Sequence, residues 1–377
     1  MSLNVTTMPN EPSRFRPDDL NEILSHALTY DVSDITIQTN QSVCFEIFGR
    51  LYSATKRRLS NTEVGDLLNH IYGANGTTHL LSGQDLDTNY EFRPDRVSRH
   101  RYRVNATACT IDGHHGIQIT LRTIPCDPPT IDTMMLPESI IQAMAPSDGC
   151  VYVTGATGSG KSTLLSSMIR HIAEQPDCNR KILTYESPIE FVYDNIQTPT
   201  AIISQSEIPK HLPSFAHGVR NALRRKPRLI LVGESRDLET INACLSAALT
   251  GHPVYTTVHA NGVAETVRRL VGGFPKEERQ GKSIDLIETM RLIIWQRLVP
   301  TVDGKRTPLR EYLIFTDEIR DELLACDFRS ITENTRKIVR RLKQTMYDDA
   351  VRKHKEGIIE QSIVEQCKRH HMSQENT

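Results

Sequence analysis

The sequence predicts an α/β protein with a small α+β domain, a parallel-sheet core and a helical C-terminal tail. Strand and helix patterns are mixed in the first third of the chain, alternate regularly in the middle and become helical near the end. A length of 377 residues suits two or three domains. We expect an N-terminal domain over residues 1–124, a linker over 125–135, a core over 136–316 and a helical C-terminal region over 317–377.

The first domain combines helices with antiparallel strands. Apolar residues at helical spacing predict helices in DDLNEILSHAL and TEVGDLLNHIYG. Strands are predicted in SDITIQT, SVCFEIFGRLYSA, RHRYRVNATAC and GHHGIQITLRTI. The stretch PCDPPTID, from Pro125 to Asp132, then places three prolines within five residues. These prolines stiffen the chain and exclude a helix, so this stretch is the expected linker.

Strands and helices alternate after the linker. The continuously apolar runs VYVTG and LILVG are typical of parallel strands covered on both faces. Between and after them come KILTYES, FAHGVRNALRR, LETINACLSAALTG and PVYTTVHA, in the order of an α/β core. In the tail, TRKIVRRLKQTMYDDAVRKHK has its apolar residues only approximately on one face. This pattern favours a solvated helix over a lipid-binding one.

Composition narrows the class of partner. The 45 Lys and Arg residues nearly balance the 46 Asp and Glu residues, so no global field draws the protein to nucleic acid or anionic lipid. The eight cysteines are scattered without a C-x-x-C pair, which argues against a zinc module or a disulfide framework. No segment has the pattern of a signal peptide or a membrane span, so we expect a cytoplasmic protein that meets membranes only peripherally.

The segment VYVTGATGSGKSTLL matches the phosphate-binding pattern G-x-x-x-x-G-K-[ST] between a strand and a helix. Its glycines allow successive N–H groups to point inward, Lys161 would reach the β- and γ-phosphates, and Ser162 would ligate Mg²⁺. The alternative is a chance glycine-rich loop. The expected ATP and Mg²⁺ site comprises Gly155, Thr157, Gly158, Ser159, Gly160, Lys161, Ser162 and Thr163.

Carboxylates follow two of the predicted core strands. Glu234 follows the apolar strand in RLILVGES and is the candidate for orienting the attacking water. Gly233 stands where many such enzymes carry an Asp for the metal. Glu186 and Glu190 follow the preceding strand in LTYESPIEF, and either could hold metal-bound water. Alternatively, Glu186 is a helix or turn residue and only Glu190 faces the site.

Histidines and arginines supply further candidates. His252 and His259 stand at the two ends of a short strand in TGHPVYTTVHANG, and one of them could sense the γ-phosphate. Arg101, Arg103 and Arg122 lie in the first domain, where they could act as fingers across a domain or subunit boundary. The alternative for the arginines is a solvated strand face.

These segments, taken in order, resemble the secretion and pilus traffic ATPases. The resemblance rests on GATGSGKST, ESPIEF, QSE, VRNALRRKPRLILVGESRDLET and TGHPVYTTVHANG, and upstream on SDITIQT…FGRL and RYRVN…LRTIP. Two positions depart from the family pattern, because Ser187 replaces the acid after Glu186 and Arg228 replaces an Asp before the next strand. The lack of a paired-cysteine zinc module favours the retraction-like and type IVB branch of the family.

The resemblance implies a PAS-like N-terminal domain and a RecA-like ATPase domain that assemble into a hexameric ring. It implies that Glu234 is the catalytic glutamate, that Glu190 is the acidic residue of the aspartate box, and that His252 and His259 form the histidine box. It also implies that Arg101, Arg103 and Arg122 approach phosphate from the N-terminal domain.

The function implied is an ATP-hydrolysing motor that energises a type IVB secretion apparatus. Its partners would be cytoplasmic or inner-membrane components of that apparatus, and contact with the membrane would be made through them. A pilus-retraction ATPase is the first alternative. A nucleic-acid motor is the second, although the basic cluster from Arg220 to Arg228 has almost no aromatic residues for stacking on bases.

Overall fold

The computed structural model describes residues 5–373, apart from the side chains at positions 328, 370 and 373. The chain forms two compact units, Met1–Cys126 and Asp127–Thr377. Both combine helices with a β-sheet. The α/β class predicted from the sequence is therefore confirmed.

The first unit is built on a six-stranded antiparallel sheet in the order β3-β2-β1-β6-β5-β4. Its strands are β1 Asp34–Gln38, β2 Cys44–Ile47, β3 Arg50–Ser53, β4 Leu86–Phe92, β5 His100–Ile111 and β6 His114–Ile124. Its helices are α1 Leu20–Ala27, α2 Asn61–Tyr72 and α3 Gly76–Leu81. The strand β4 and the short helix α3 are elements that the sequence patterns did not predict.

Local sequence explains several boundaries in the first unit. β5 and β6 form a long hairpin whose turn, Asp112 and Gly113, has positive φ at both positions. Such a turn matches the right-handed twist of the flanking strands. The helix α2 begins with a capping box, in which the Ser60 hydroxyl and the Glu63 carboxylate satisfy each other's backbone N–H.

The second unit contains a seven-stranded sheet in the order β13-β12-β7-β11-β10-β8-β9. All neighbours in it are parallel except β12 and β13, which form an antiparallel hairpin at one edge. Its strands are β7 Gly149–Thr154, β8 Lys181–Glu186, β9 Ile202–Glu207, β10 Leu229–Val232, β11 Pro253–Val258, β12 Met290–Pro300 and β13 Arg306–Ile314.

Hydrophobic cores cover both faces of this sheet. Along β7, Cys150 and Tyr152 pack into one core, while Val151 and Val153 pack into the other. This alternation explains why every residue of the strand is buried. The helices of the unit are α4 Glu138–Ala143, α5 Lys161–Glu174, α6 Phe215–Leu223, α7 Leu238–Leu249, α8 Val263–Gly272, α9 Arg279–Thr289, α10 Asp317–Leu324, α11 Ile331–Arg341, α12 Met346–Lys355 and α13 Gln361–Ser373.

The C-terminal region differs from the solvated helix predicted for it. The segment from Thr335 to Lys355 contains most of α11 and all of α12, separated by a turn in which Lys343 has a φ of 54°. Ile338 and Met346 are buried in the same core as the sheet. The apolar residues lay only approximately on one face because the segment is two helices, and each helix turns its own apolar residues inward.

Across residues 5–373, no helix is long and apolar enough to cross a membrane.

Candidate functional site

The phosphate loop connects β7 to α5. Gly155, Gly158 and Gly160 have φ values of 146°, 76° and 81°, a region that side chains strongly disfavour. A Cβ on Gly155 would lie 2.6 Å from the Ser159 hydroxyl oxygen, so the loop could not close around a larger residue. No side chain caps the helix that follows Gly160. The loop and the start of α5 therefore present backbone N–H groups and a positive dipole end suited to an anion.

Lys161 is folded back onto this loop. Its ammonium donates hydrogen bonds to the carbonyl oxygens of Gly155, at 3.0 Å, and Ala156, at 2.9 Å. Burial lowers the pKa of Lys161, while the nearby carboxylates of Glu234 and Glu190 act in the opposite direction. The lysine is therefore a mostly buried cation in the field of both acids that the sequence assigned to catalysis.

Glu234 lies just beyond the end of β10 and pairs with His259, which lies just beyond β11. The Glu234 Oε1 and the His259 Nε2 are 3.2 Å apart, and both side chains keep some exposure to solvent. The Arg236 guanidinium lies 3.8 Å from the other carboxylate oxygen. The two strand ends are tied together, because Ser235 N–H donates to the Thr257 carbonyl oxygen at 2.9 Å. The carboxylate is thus held by rigid elements at the carboxyl ends of the parallel strands, where the phosphate loop also lies.

Glu186 is the last residue of β8, and the residue is 93 % buried. It accepts hydrogen bonds from the Thr184 hydroxyl at 2.6 Å and from the Gln205 amide at 3.1 Å. Gln205 also donates to the Phe191 carbonyl oxygen at 2.9 Å, one residue beyond Glu190. Gln205 therefore links Glu186, at the end of β8, to the loop that carries Glu190, a role that its sequence context did not reveal.

The two histidines lie at opposite ends of β11. β11 runs parallel to β7, with Val258 beside Thr154 at the phosphate-loop end and Pro253 beside Gly149 at the other. His252 precedes Pro253, so it lies roughly 20 Å along the strand from the loop of its own chain. Its ring contacts the Ala247 carbonyl oxygen and the Thr250 hydroxyl. Within one chain, the prediction that His252 belongs with the phosphate-binding residues is therefore wrong.

The three candidate arginines lie in the first unit. Arg103 on β5 and Arg122 on β6 are direct cross-strand neighbours, a like-charged pair that repels. An acid from the strand on the other side of each arginine compensates it: Asp87 on β4 lies 2.6 Å from Arg103, and Asp34 on β1 lies 2.8 Å from Arg122. Arg101 is 96 % buried. The first unit thus presents two half-exposed or exposed guanidinium groups side by side.

The sequence analysis also missed a contact on the phosphate loop itself. The Gln296 side-chain amide donates to the Ser159 carbonyl oxygen at 2.7 Å, and its Oε1 accepts from the Arg310 Nε at 2.9 Å. These residues lie on the edge hairpin formed by β12 and β13. No local signal could reveal the first contact, because Gln296 and Ser159 are 137 residues apart in the chain.

The residues present fit ATP with Mg²⁺. The Ser159 hydroxyl is a buried polar group without a protein partner, and the glycine loop around it would be filled by any Cβ at Gly155. Loop N–H groups and Lys161 suit the phosphates. The half-buried Ser162 is the second residue of α5, where a hydroxyl ligand for Mg²⁺ is expected.

Comparison with known proteins decides the family. The family model described as type II/IV secretion system protein matches residues 96–376. The chain belongs to this family. It is similar to the ATPase DotB of Legionella pneumophila, with 61% sequence identity and a TM-score of 0.91 over 96% of this chain and 98% of the other.

Two further relatives support the assignment of this secretion ATPase. The ATPase DotB of Yersinia pseudotuberculosis has 35% identity and a TM-score of 0.78, with 95% of each chain covered. The type IV pilus retraction ATPase PilT of Pseudomonas aeruginosa is 32% identical over 303 residues, which cover 80% of this chain and 84% of that protein. The resemblance inferred from the sequence is confirmed, and so is the predicted ATP hydrolysis that this family of traffic ATPases performs.

Proposed function

We propose that this secretion ATPase is a homohexameric motor that powers a type IVB secretion apparatus. The observation that carries the proposal is the convergence of the phosphate loop, the Glu234–His259 pair and Glu190 at the carboxyl ends of the parallel strands. Similarity to DotB over 96% of the chain supports the choice of the type IVB apparatus over a retracting pilus.

ATP would bind at the loop from Gly155 to Thr163. The Lys161 ammonium would exchange its two loop carbonyls for the β- and γ-phosphates, since a phosphate is a stronger acceptor than a neutral carbonyl. The Ser162 hydroxyl would ligate Mg²⁺, and Glu190 would hold water on the metal. Glu186 would position the Glu190 loop through Gln205. The bound metal would supply charge neutralisation of the phosphates.

Glu234 would act as the base that orients the attacking water. His259, 3.2 Å from its carboxylate, would fix the direction of that carboxylate and respond to the γ-phosphate. Arg101, Arg103 and Arg122 of the first unit would stabilise the negative charge that develops on the phosphates during hydrolysis. To do so, Arg103 and Arg122 would leave the carboxylates that now pair with them.

The architecture implied by the family is a PAS-like first unit and a RecA-like second unit, arranged as a ring. Successive hydrolysis around the ring would move one unit against the other, and the motion would do work on a secretion component. The protein would act in the cytoplasm, attached to the inner-membrane complex through protein partners and without direct binding of nucleic acid.

Mixing two inactive variants tests whether the site depends on a neighbouring subunit. Lys161→Ala removes phosphate binding but keeps the arginines. Arg103→Ala removes one arginine but keeps phosphate binding. If the arginine acts across a ring boundary, an equal mixture restores activity at roughly a quarter of the boundaries, where both functional halves meet. Arg14→Ala is the control, because Arg14 also forms an ion pair, 3.6 Å from Asp66, on a different part of the first unit.

Two results would contradict the proposal. A mixture that stays inactive, with both variants assembled, would place the arginine and phosphate loop of one site in the same chain or remove Arg103 from it. Specific activity that does not rise with protein concentration, together with a monomeric mass in the presence of a non-hydrolysable ATP analogue, would rule out the ring motor.

A further inference from the structure

We propose that Gln296 and Arg310 are positioning residues that hold the phosphate loop in its binding-competent shape from the edge hairpin. The inference rests on the proposed binding of ATP at that loop. The two residues do not belong to the loop or to the helix after it, and they would act through Ser159 without contacting the nucleotide.

Gln296 packs against the loop at several points. Trp295 is the register partner of Thr154, so Gln296 stands beside Gly155, one residue beyond the end of β7. A Cβ on Gly155 would collide with the Gln296 carbonyl oxygen, and one on Gly160 would lie 3.0 Å from its side-chain nitrogen. The amide donates to the Ser159 carbonyl oxygen at 2.7 Å. Both ends of the loop therefore rest on the same residue of β12.

Arg310 fixes the orientation of the Gln296 amide. An amide can turn over and exchange its oxygen and nitrogen, but the Arg310 Nε donates to the Gln296 Oε1 at 2.9 Å, so only the NH₂ group can face Ser159. Arg310 is 97 % buried, and its Nη1 donates to the Met135 carbonyl oxygen at 3.1 Å. The guanidinium thus selects one orientation of Gln296 and has little freedom to move itself.

The C-terminal helices hold this pair in turn. The Arg310 backbone N–H donates to the Asp349 carboxylate on α12 at 2.9 Å. Asp349 also pairs with Arg352, at 2.6 Å, within the same helix. A continuous set of hydrogen bonds therefore runs from α12 through β13 and β12 to the phosphate loop, which gives the C-terminal region a physical route to the nucleotide site.

Replacing Gln296 by Leu removes both side-chain hydrogen bonds and keeps a similar volume. Loss of one net hydrogen bond that orders the loop corresponds to about a ten-fold weaker affinity for ADP. Because bound nucleotide can reorder the loop, the rate at saturating ATP should fall by less than about three-fold. Equilibrium titration with a fluorescent ADP analogue and steady-state hydrolysis measure the two quantities.

A double variant tests whether the pair acts as one unit. If Arg310 acts only by orienting Gln296, then Gln296→Leu combined with Arg310→Met should weaken ADP binding by about ten-fold, as the more severe single change does. If the two residues act independently, their effects on ADP affinity would instead multiply, and the double variant would bind ADP about a hundred-fold more weakly. Arg310→Lys is the second variant if Arg310→Met does not fold, because one ammonium cannot serve both Gln296 and Met135, and its expected loss is about three-fold.

Thr335→Val is the matched control for stability. It removes a buried hydroxyl whose hydrogen bond, 2.8 Å to the Ile331 carbonyl oxygen, stays within α11. ADP affinity unchanged in Gln296→Leu, multiplicative loss in the double variant, or equal loss in Thr335→Val would each overturn the inference. Unaltered ADP binding by Lys161→Ala would instead refute the proposed nucleotide site itself, so the two failures are distinguishable.

Discussion

Replacing a helix glycine by alanine should change the free energy of unfolding in opposite directions at two positions. Gly218 lies in the middle of α6 and faces β8, where a Cβ would lie 2.7 Å from the Tyr185 Cδ1 and 2.8 Å from its Cγ. Gly281 lies in α9 and has no heavy atom within 4 Å of the corresponding position. Replacement of either by Ala lowers the backbone entropy of the unfolded chain and favours the helix.

The expected free energies follow from these contacts. A Gly to Ala change inside a helix stabilises by about 0.5–1 kcal/mol. Overpacking a filled core costs about 1–3 kcal/mol, and Tyr185 cannot retreat because it is fully buried. We therefore expect Gly218→Ala to lower the free energy of unfolding by about 1–2 kcal/mol, and Gly281→Ala to raise it by up to about 1 kcal/mol.

Urea denaturation followed by tryptophan fluorescence measures both changes. Trp295 is the single tryptophan of the chain and lies buried in β12, so its emission reports on the second unit alone. ATP hydrolysis should also fall in Gly218→Ala, since Tyr185 precedes Glu186. A Gly218→Ala protein as stable as the wild type, beside a stabilised Gly281→Ala protein, would refute the packing argument.

Three further predictions concern the site and the first unit. Glu234→Gln should lower the turnover rate by about 10²–10⁴-fold while ATP binding persists, which single-turnover hydrolysis and equilibrium binding separate. His259→Ala should slow turnover, whereas His252→Ala should leave the ATP affinity of the isolated subunit within about two-fold of wild type, a comparison that fails if both behave alike. Burial raises the pKa of Glu63, but hydrogen bonds from Arg57, Ser60 and Phe15 outweigh it and hold the pKa at about 2. This depressed pKa stabilises the fold at neutral pH, and the contribution is lost as the pH falls from about 4.5 towards 2, so Glu63→Gln should cost up to about 3 kcal/mol near neutral pH and less in acid, by circular dichroism in urea.

The sequence predicted well those features that depend on neighbouring residues. The phosphate loop is a short segment whose glycines, lysine and serine each have a local reason, and the structure places them between a strand and a helix as expected. The apolar runs around it identified buried parallel strands because a strand covered on both faces has no polar positions. The C-terminal break at Lys343 was missed, since two short amphipathic helices in sequence resemble one longer helix with an imperfect face.

Strand order decided which candidate residues meet. β11 lies between β7 and β10, so His259, which follows β11, comes beside Glu234. His252 precedes β11 and therefore lies at the opposite ends of these parallel strands, away from the phosphate loop. Both histidines have similar local sequences, and no local property separates them. Their separation follows from the extended length of a single strand once its neighbours are known.

By itself, the sequence determined the α/β class, the phosphate loop and the family, because each depends on backbone conformations and side chains within a short window. Only the tertiary structure revealed that Gln296 and Arg310 brace that loop. Their contacts join strands that are adjacent through the packing of the whole sheet, and a hydrogen bond between residues 137 positions apart leaves no periodic trace in the chain.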